Sequence, residues 1–507
     1  MMAGRKCALR AWEWSMSPDR DSSRPLNVQI GEGIVEKIRA GLLSPGTPLP
    51  GSREFAAILG VNRKTIVLVY DELAAQGWLT TEGRRGTFVS PNLPHVQGAG
   101  WTSQKRPILE DPLPFADYPV YGSTAPLPEA APKGTIDFTD GAPDTRLVPF
   151  GALSSAFRHA LLESARGNQL GYADPRGLAD LRNTLGSMLR IERGLKADPE
   201  NICVVRGSQM GIYLAAKILV RSGDTVALEQ LTYPPARDAF RSCGAAVISI
   251  EQDEFGMRPD ALISACKAHP IRAIYLTPHH QFPTTITMPI ERRMELLQLA
   301  HEYGFVIVED DYDHEFHFNH NPMQPMAAMD RRGKVIYIGS LSKILAPGLR
   351  VGYVVAPPPI IHRMANEIVL IDRQGNSVTE RAVSDFMQSG ELRRHIRHAA
   401  KIYHARCHTA AALVSECLHP FASVDIPDGG LALWVRMADG VDMAQLFDNT
   451  RENKVQILPG STFSSDSREV QAMRLGYACL NEIEIKCGID RIKSALSRQV
   501  RPYRATA

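Results

Sequence analysis

Isoleucine recurs at every fourth position at Ile30, Ile34 and Ile38, and the repeat stops ahead of Gly41. One apolar stripe at that spacing predicts an amphipathic helix ended by a glycine. The run PLPGSREFAAIL (residues 48–59) follows, with Ser52 expected as N-cap of a short helix burying Phe55, Ala56 and Leu59. Gly60 makes a turn. Asn62 then caps a second helix, Arg63 to about Gln76, whose buried stripe is Ile66, Val69, Tyr70 and Leu73. The segment WLTTEGRRGTFV (residues 78–89) alternates apolar and polar positions around Gly83 and Gly86, the pattern of a β-hairpin. Residues 24–90 therefore predict an α-helical helix-turn-helix domain with a β wing.

A different pattern fills the rest of the chain. NICVV, TVALE, AAVISI, AIYLT, FVIVED, KVIYIG and VGYVV, all between residues 201 and 355, are short runs rich in β-branched residues, separated by helical periodicities. Such runs predict an α/β fold with a mainly parallel central sheet covered on both faces. Between the two patterns, residues 91–133 hold nine prolines among 43 residues and keep no apolar period. That stretch reads as a linker; as a flexible coil its ends would stand roughly 35–40 Å apart. The expected organisation is a disordered leader (1–23), a small domain (24–90), the linker (91–133) and a large domain (134–507).

Composition narrows the class. Hydrophobic residues are 44% and charged residues 22% of the chain, and the net charge is only +2. No global field draws such a chain onto nucleic acid or an anionic membrane, so any DNA contact must be local. No apolar run reaches membrane-spanning length. The eight cysteines form no CxxC pair, hence no zinc signature and no compact disulfide framework. They read as reduced thiols of a cytoplasmic protein, and no metal site is expected.

Local basic chemistry gathers at the second helix of the small domain. Its first turn presents Asn62, Arg63, Lys64 and Thr65, while Arg53 opens the preceding helix and Arg84 and Arg85 sit on the wing. The N-terminal end of such a helix meets base edges in the major groove, where arginine bridges guanine O6 and N7. Residues 24–90 carry eight basic and six acidic side chains, so charge alone does not make the case. The whole run from Pro48 to Val89 resembles the winged helix of GntR-type bacterial regulators. That resemblance implies DNA contacts at Arg53, Arg63, Lys64, Thr65 and the wing glycine Gly86.

The large domain offers an amine, an acid and anion-binding groups in order. Lys343 lies in GSLSKILAPGLRVGY (residues 339–353), about thirty residues after VIVEDDYDHEF (residues 306–316). A lysine amine condenses reversibly with an aldehyde. Asp310, leaving an apolar strand, suits a protonated pyridine nitrogen, and Tyr312 suits a phenolic oxygen. Ser340, Ser342 and Arg350 suit a phosphate, together with amides expected free at Gly207, Ser208 and Gln209 where the helix in RGSQMGIYLAAKIL begins. Tyr233 in LTYPP either stacks on a ring or belongs to the core.

In this order and spacing the residues resemble fold-type-I aminotransferases, across roughly residues 134–507. The resemblance implies pyridoxal 5'-phosphate as cofactor, with Lys343 as its covalent anchor and Asp310 on the ring nitrogen. It also implies Arg474, in MRLGYACL, as the residue for a substrate carboxylate. Tyr172, in GYADPRGLADLR, matches the tyrosine that reaches a neighbouring subunit's phosphate, which implies a homodimer. One stretch departs from the pattern. HHQFPTT (residues 279–285) puts Phe282 where aminotransferases usually carry the asparagine that binds the phenolic oxygen, and Thr285 where they carry glycine. His280 or Gln281 is then the substitute. Ala432 also stands where many relatives have histidine.

A GntR-type winged helix, a proline-bearing linker and an aminotransferase-like domain together resemble the MocR/GabR-type transcriptional regulators. The resemblance implies a regulator that binds an operator in double-stranded DNA and senses an amine, an amino acid or the cofactor itself, with little or no turnover. Two alternatives stay open: a catalytically active aminotransferase with a vestigial DNA domain, and a DNA-binding protein whose large domain only dimerises.

Overall fold

The computed structural model describes residues 18–19, 24–83, 85–94, 132–139, 141–318, 323–466 and 468–498. Arg84, nearly all of the expected leader and most of the expected linker lie outside them. The chain divides into two compact units, Met1–Val120 and Tyr121–Ala507.

In the first unit the apolar stripes become one core. Helix α1 (Leu26–Arg39) buries Ile30, Ile34 and Ile38; α2 (Ser52–Leu59) buries Phe55, Ala56 and Leu59; α3 (Arg63–Ala75) buries Ile66, Val69, Tyr70 and Leu73. These side chains meet around Phe55 with Leu79 and Val89 of the wing. Gly60 takes the left-handed conformation (φ 65°) that lets α2 end and α3 start at once. Strands β1 (Leu79–Glu82) and β2 (Gly86–Val89) pair antiparallel, Leu79 opposite Val89 and Glu82 opposite Gly86. One boundary differs from expectation. Ser52 is the first helical residue, and Gly51, which has no side chain to accept a hydrogen bond, is the N-cap. The buried Tyr70 hydroxyl donates to the Pro50 carbonyl at 2.8 Å, tying α3 to the segment that enters α2. Tyr70→Phe leaves that carbonyl unpaired. The expected cost is about 1–2 kcal/mol in urea unfolding, with the helical circular dichroism intact.

The second unit is built on a seven-stranded sheet. From one edge its order is Ile202–Val205, Gly352–Val355, Val335–Ser340, Val306–Asp311, Ile271–Leu276, Thr225–Glu229 and Ala246–Ile250. All seven apolar runs are strands of this sheet. Every residue of Thr225–Glu229 and Val335–Ser340 is buried, because helices cover both faces. Gly352–Val355 alone runs antiparallel to its neighbours. A smaller antiparallel sheet, in the order Ala422–Val424, Ala432–Met437, Ala472–Gly476 and Leu458–Pro459, follows. It shares a core with the 27-residue helix Glu391–Cys417 and the helix Glu482–Ser497.

This topology fixes where a ligand can sit. Parallel strands deliver their carboxyl ends to one edge of the sheet, and ligands of open α/β sheets bind outside that edge. Val205, Glu229, Leu276, Asp311 and Ser340 all end there, and the antiparallel Gly352 begins there. The seven cysteines among the described residues are free thiols. No helix among those residues is long and apolar enough to cross a membrane.

Candidate functional site

At the carboxyl edge, two glycines and an arginine build an anion cradle. The helix Ser208–Leu219 starts beside the sheet with Gly207 (φ 79°) as its N-cap. The Arg350 guanidinium lies over Gly207, so closely that a Cβ there would stand 2.8 Å from Nη2, and Nη2 donates to the Arg206 carbonyl at 2.8 Å. A Cβ on Gly352 would stand 2.9 Å from the Ser208 amide nitrogen, so the strand can pass this close to the helix start only as glycine. The amides of Ser208 and Gln209 have no acceptor among the described residues. Gly207 differs from expectation: its amide is taken by the Val205 carbonyl at 2.8 Å. A helix N-terminus with free amides and a guanidinium beside it suits a phosphate.

Across the edge stands a buried acid with one oxygen unused. Asp310 is 3% exposed; Tyr275 donates to its Oδ2 at 2.8 Å, while Oδ1 is buried without a hydrogen-bond partner among the described residues. Burial pushes its pKa up to about 7, against the Tyr275 hydrogen bond and with Asp311 and Asp313 adding to the rise. Lys343, in the turn after Val335–Ser340, is near enough to pull the same pKa down. An orphaned carboxylate oxygen and a cradle with free amides, with an amine near the acid, fit a phosphorylated pyridine that offers an N–H and an aldehyde.

The raised acid has a sign that can be checked. A carboxyl whose folded pKa lies above its unfolded value near 4 contributes its full stability below pH 4. That contribution is lost as pH rises through 7. Cofactor-free Asp310→Asn is therefore expected to be the more stable protein above pH 7, by about 2–4 kcal/mol, with the gap closing toward pH 4. Thermal unfolding across that range measures it.

An aromatic wall stands around Arg474. This guanidinium is 2% exposed, its carbon stands 4.4 Å from the centre of the Phe282 ring, and its Nε is buried without a hydrogen-bond partner among the described residues. Its other nitrogens reach the Thr139 carbonyl at 3.5 Å and the Tyr312 hydroxyl. No carboxylate among the described residues pairs with it, which leaves it disposed to receive one. Phe282 also meets Tyr233 (5.0 Å), Phe463 (5.5 Å) and Tyr312 (6.1 Å), edge to face. Phe282, in the usual asparagine position, thus supplies a face for Arg474 rather than a hydrogen bond.

The remaining expected site residues are placed as follows. Tyr312 donates to the His280 carbonyl at 3.1 Å. The His280 ring is 2% exposed and held through Nδ1 by Asp313 at 2.8 Å. Burial opposes a proton on that ring, but Asp313 outweighs it and raises the pKa. Gln281 spends its amide nitrogen on Glu229 and the Leu231 carbonyl, and its oxygen on Thr284. Ser340 is buried at its strand end, while the Ser342 hydroxyl accepts from the Val351 amide at 3.2 Å, bracing the lysine loop. Tyr172 is 81% exposed in the single chain, beneath the Arg373 guanidinium at 4.9 Å. Sequence reasoning missed Tyr275, whose role rests on strand pairing: Val308 lies opposite Tyr275, two residues before Asp310 on the same face.

In the small unit, the first turn of α3 is open. Asn62, Arg63 and Lys64 are exposed and Thr65 is half-buried. Asn62 caps the helix by accepting from the Lys64 amide at 2.9 Å, which spends part of its side chain on structure. Arg53 is exposed on α2, and Gly86 (φ 117°) shapes the wing turn. Arg85 pairs with Glu82 at 2.8 Å on the surface, an exposed contact of small energy.

Residues 135–492 match the profile of the family Aminotransferase class I and II. The chain belongs to that family. Residues 26–89 match Bacterial regulatory proteins, gntR family, so a GntR helix-turn-helix domain precedes the fold-type-I aminotransferase domain. The chain is 29% identical over 485 residues to "Probable rhizopine catabolism regulatory protein MocR" of Rhizobium meliloti, covering 94% of this chain and 95% of that protein. It is 28% identical to "HTH-type pyridoxine biosynthesis transcriptional regulator PdxR" of Corynebacterium glutamicum, covering 77% of this chain and 79% of that one. Among solved structures it resembles LysN, the alpha-aminoadipate aminotransferase of Thermus thermophilus complexed with N-(5'-phosphopyridoxyl)-L-leucine. The TM-score is 0.68 at 28% identity, over 72% of this chain and 93% of that one. The family is one that binds pyridoxal phosphate. A regulator matches the chain nearly end to end; the enzyme matches its larger part.

Proposed function

We propose that this chain is a pyridoxal 5'-phosphate-binding transcriptional regulator of the MocR type, a cytoplasmic homodimer that grips operator DNA. Its effector is an amine or amino acid, or the cofactor itself. The observation that carries the reading is the joint presence of both sites in one chain. An exposed Asn-Arg-Lys helix start stands in one unit, and the other holds an unsatisfied Asp310 with Lys343 and Arg350. End-to-end similarity to a protein named as a regulator supports it.

Each residue then has one task. Asp310, whose Oδ1 is unpaired, would hold the ring nitrogen and favour its protonated form. Arg350 and the Ser208 and Gln209 amides would hold the phosphate, and Tyr172 of a second copy would complete that grip. Arg474 takes an effector's carboxylate. When bound, the cofactor supplies an aldehyde that condenses reversibly with primary amines. An effector shifts the dimer only as far as it binds two conformations unequally. Moving a 1:99 balance to 99:1 takes about 5.5 kcal/mol of such preference.

The complete Lys343, Asp310, Arg350 and Arg474 set also suits a working aminotransferase, the second reading. One experiment separates the two. The protein is mixed with pyridoxal 5'-phosphate, amines and amino acids are screened for spectral change, and the same mixtures are run against DNA from the neighbouring intergenic region. The regulator reading expects a ligand that changes both spectrum and DNA affinity. Multiple turnover of an amino donor and a keto acid without specific DNA binding would replace it with the enzyme.

A further inference from the structure

Beside the strand end that carries Asp310, three side chains bring metal-ligating atoms together. His279 lies after strand Ile271–Leu276, Asp311 ends strand Val306–Asp311, and His314 lies in the following loop. They are 5%, 3% and 5% exposed, and one ligand atom from each falls within 4.8 Å of the other two. Two of their atoms, His279 Nδ1 and Asp311 Oδ1, are buried with no hydrogen-bond partner among the described residues, while His314 Nδ1 meets only Asp311 Oδ2, at 2.9 Å. Buried polar atoms are nearly always paired, so two orphans within one group of ligand atoms call for a common partner.

We propose that His279, Asp311 and His314 bind a single divalent transition-metal ion, zinc being the natural candidate. The ligand set selects the class. Two imidazoles and one carboxylate suit zinc and its neighbours, whereas calcium and magnesium take mostly oxygen donors. Arg193 stands 3.6 Å from Asp311 Oδ2 and also pairs with Glu315. Tyr337 donates to the same Oδ2 at 2.6 Å, which orients the carboxylate and leaves Oδ1 for the metal.

The competing account is an ion pair between protonated His314 and Asp311, whose Nδ1 and Oδ2 are 2.9 Å apart. That account leaves His279 Nδ1 and Asp311 Oδ1 unsatisfied; a metal satisfies both. Because Asp311 adjoins Asp310 and His279 opens the HHQFPTT segment, an ion here would clamp two walls of the cofactor site. The site does not depend on the regulatory reading.

The test uses the full chain after chelation and dialysis. Zinc titration by calorimetry is expected to give one site per chain, and cobalt substitution a visible ligand-field band. His279→Gln and His314→Gln are each expected to weaken zinc by more than about a hundredfold, beyond the 10–100-fold typical of losing a partner that only supports a ligand. The exposed pair His404 and His408, with Nε2 atoms 3.1 Å apart, can itself chelate a metal. All titrations are therefore run in the His404→Ala, His408→Ala background. Zinc-edge X-ray absorption on that protein, which carries no change in the triad, should show two imidazoles bound and keeps the test independent of how the triad variants fold. No stoichiometric zinc in that background, or binding indifferent to both triad substitutions, would overturn the proposal.

Discussion

Lys343→Ala is expected to abolish covalent retention of pyridoxal 5'-phosphate completely. After borohydride reduction the wild type should carry the label on the peptide containing residue 343, and the variant none. The visible band of the bound cofactor should vanish with it. The argument is positional: the lysine leaves its strand at the same sheet edge as Asp310 and lowers that carboxyl's pKa by its charge. The variant should still bind the cofactor non-covalently, because Arg350, the helix start at Ser208 and Asp310 remain. DNA binding without ligand should persist, while any response to an amine that works by displacing the lysine should be lost. A variant that keeps the label, or keeps a full amine response, would move the sensing chemistry away from this pocket.

Much of this architecture was legible because apolar periodicity is a local signal. The stripes Ile30–Ile34–Ile38 and Ile66–Val69–Tyr70–Leu73 became the core of the first unit, and the seven β-branched runs became the seven strands. Strand order was not legible, since nothing local in VGYVV says that it runs antiparallel between two other strands. The site shows the same division. Lys343, Asp310 and Arg350 were singled out by order and spacing, and the structure sets Lys343 near Asp310 and Arg350 over Gly207. Tyr275 was hidden, because its partner is set by register with a strand thirty residues on. Ser342 was assigned to a phosphate from its hydroxyl alone, yet the turn beside it offered the Val351 backbone. His280 was offered as a substitute for an asparagine; that Asp313, just past the strand, holds its Nδ1 was not legible from the spacing. The buried triad was missed because its members are scattered as HH, D and H with no ligand spacing to count. Short-range backbone partners and long-range register are what a residue list cannot supply.

Replacing Arg63 and Lys64 together by alanine is expected to remove specific DNA binding while leaving the fold intact. Both side chains are exposed, and neither belongs to the buried stripe of α3. The helix is 13 residues, about 20 Å, and its capped first turn is the end that enters a major groove. Each well-made base contact is worth about 1–3 kcal/mol, so the pair should cost about 2–6 kcal/mol, or roughly thirtyfold to more than ten-thousandfold in affinity. Salt separates the two kinds of contact. If a side chain neutralises a phosphate, its loss flattens the dependence of log K on log salt by about one unit and weakens all sequences alike. If it reads a base, the slope holds and discrimination at one position relaxes. Asn62 needs separate treatment, because its side chain also caps α3, and Asn62→Ala would mix about 1 kcal/mol of helix stability into any binding loss. Arg85→Ala on the wing is the comparison: a single phosphate contact there should change affinity only several-fold, alike for all sequences. A double variant that binds the operator within threefold of wild type would mean that α3 is not the element that reads DNA.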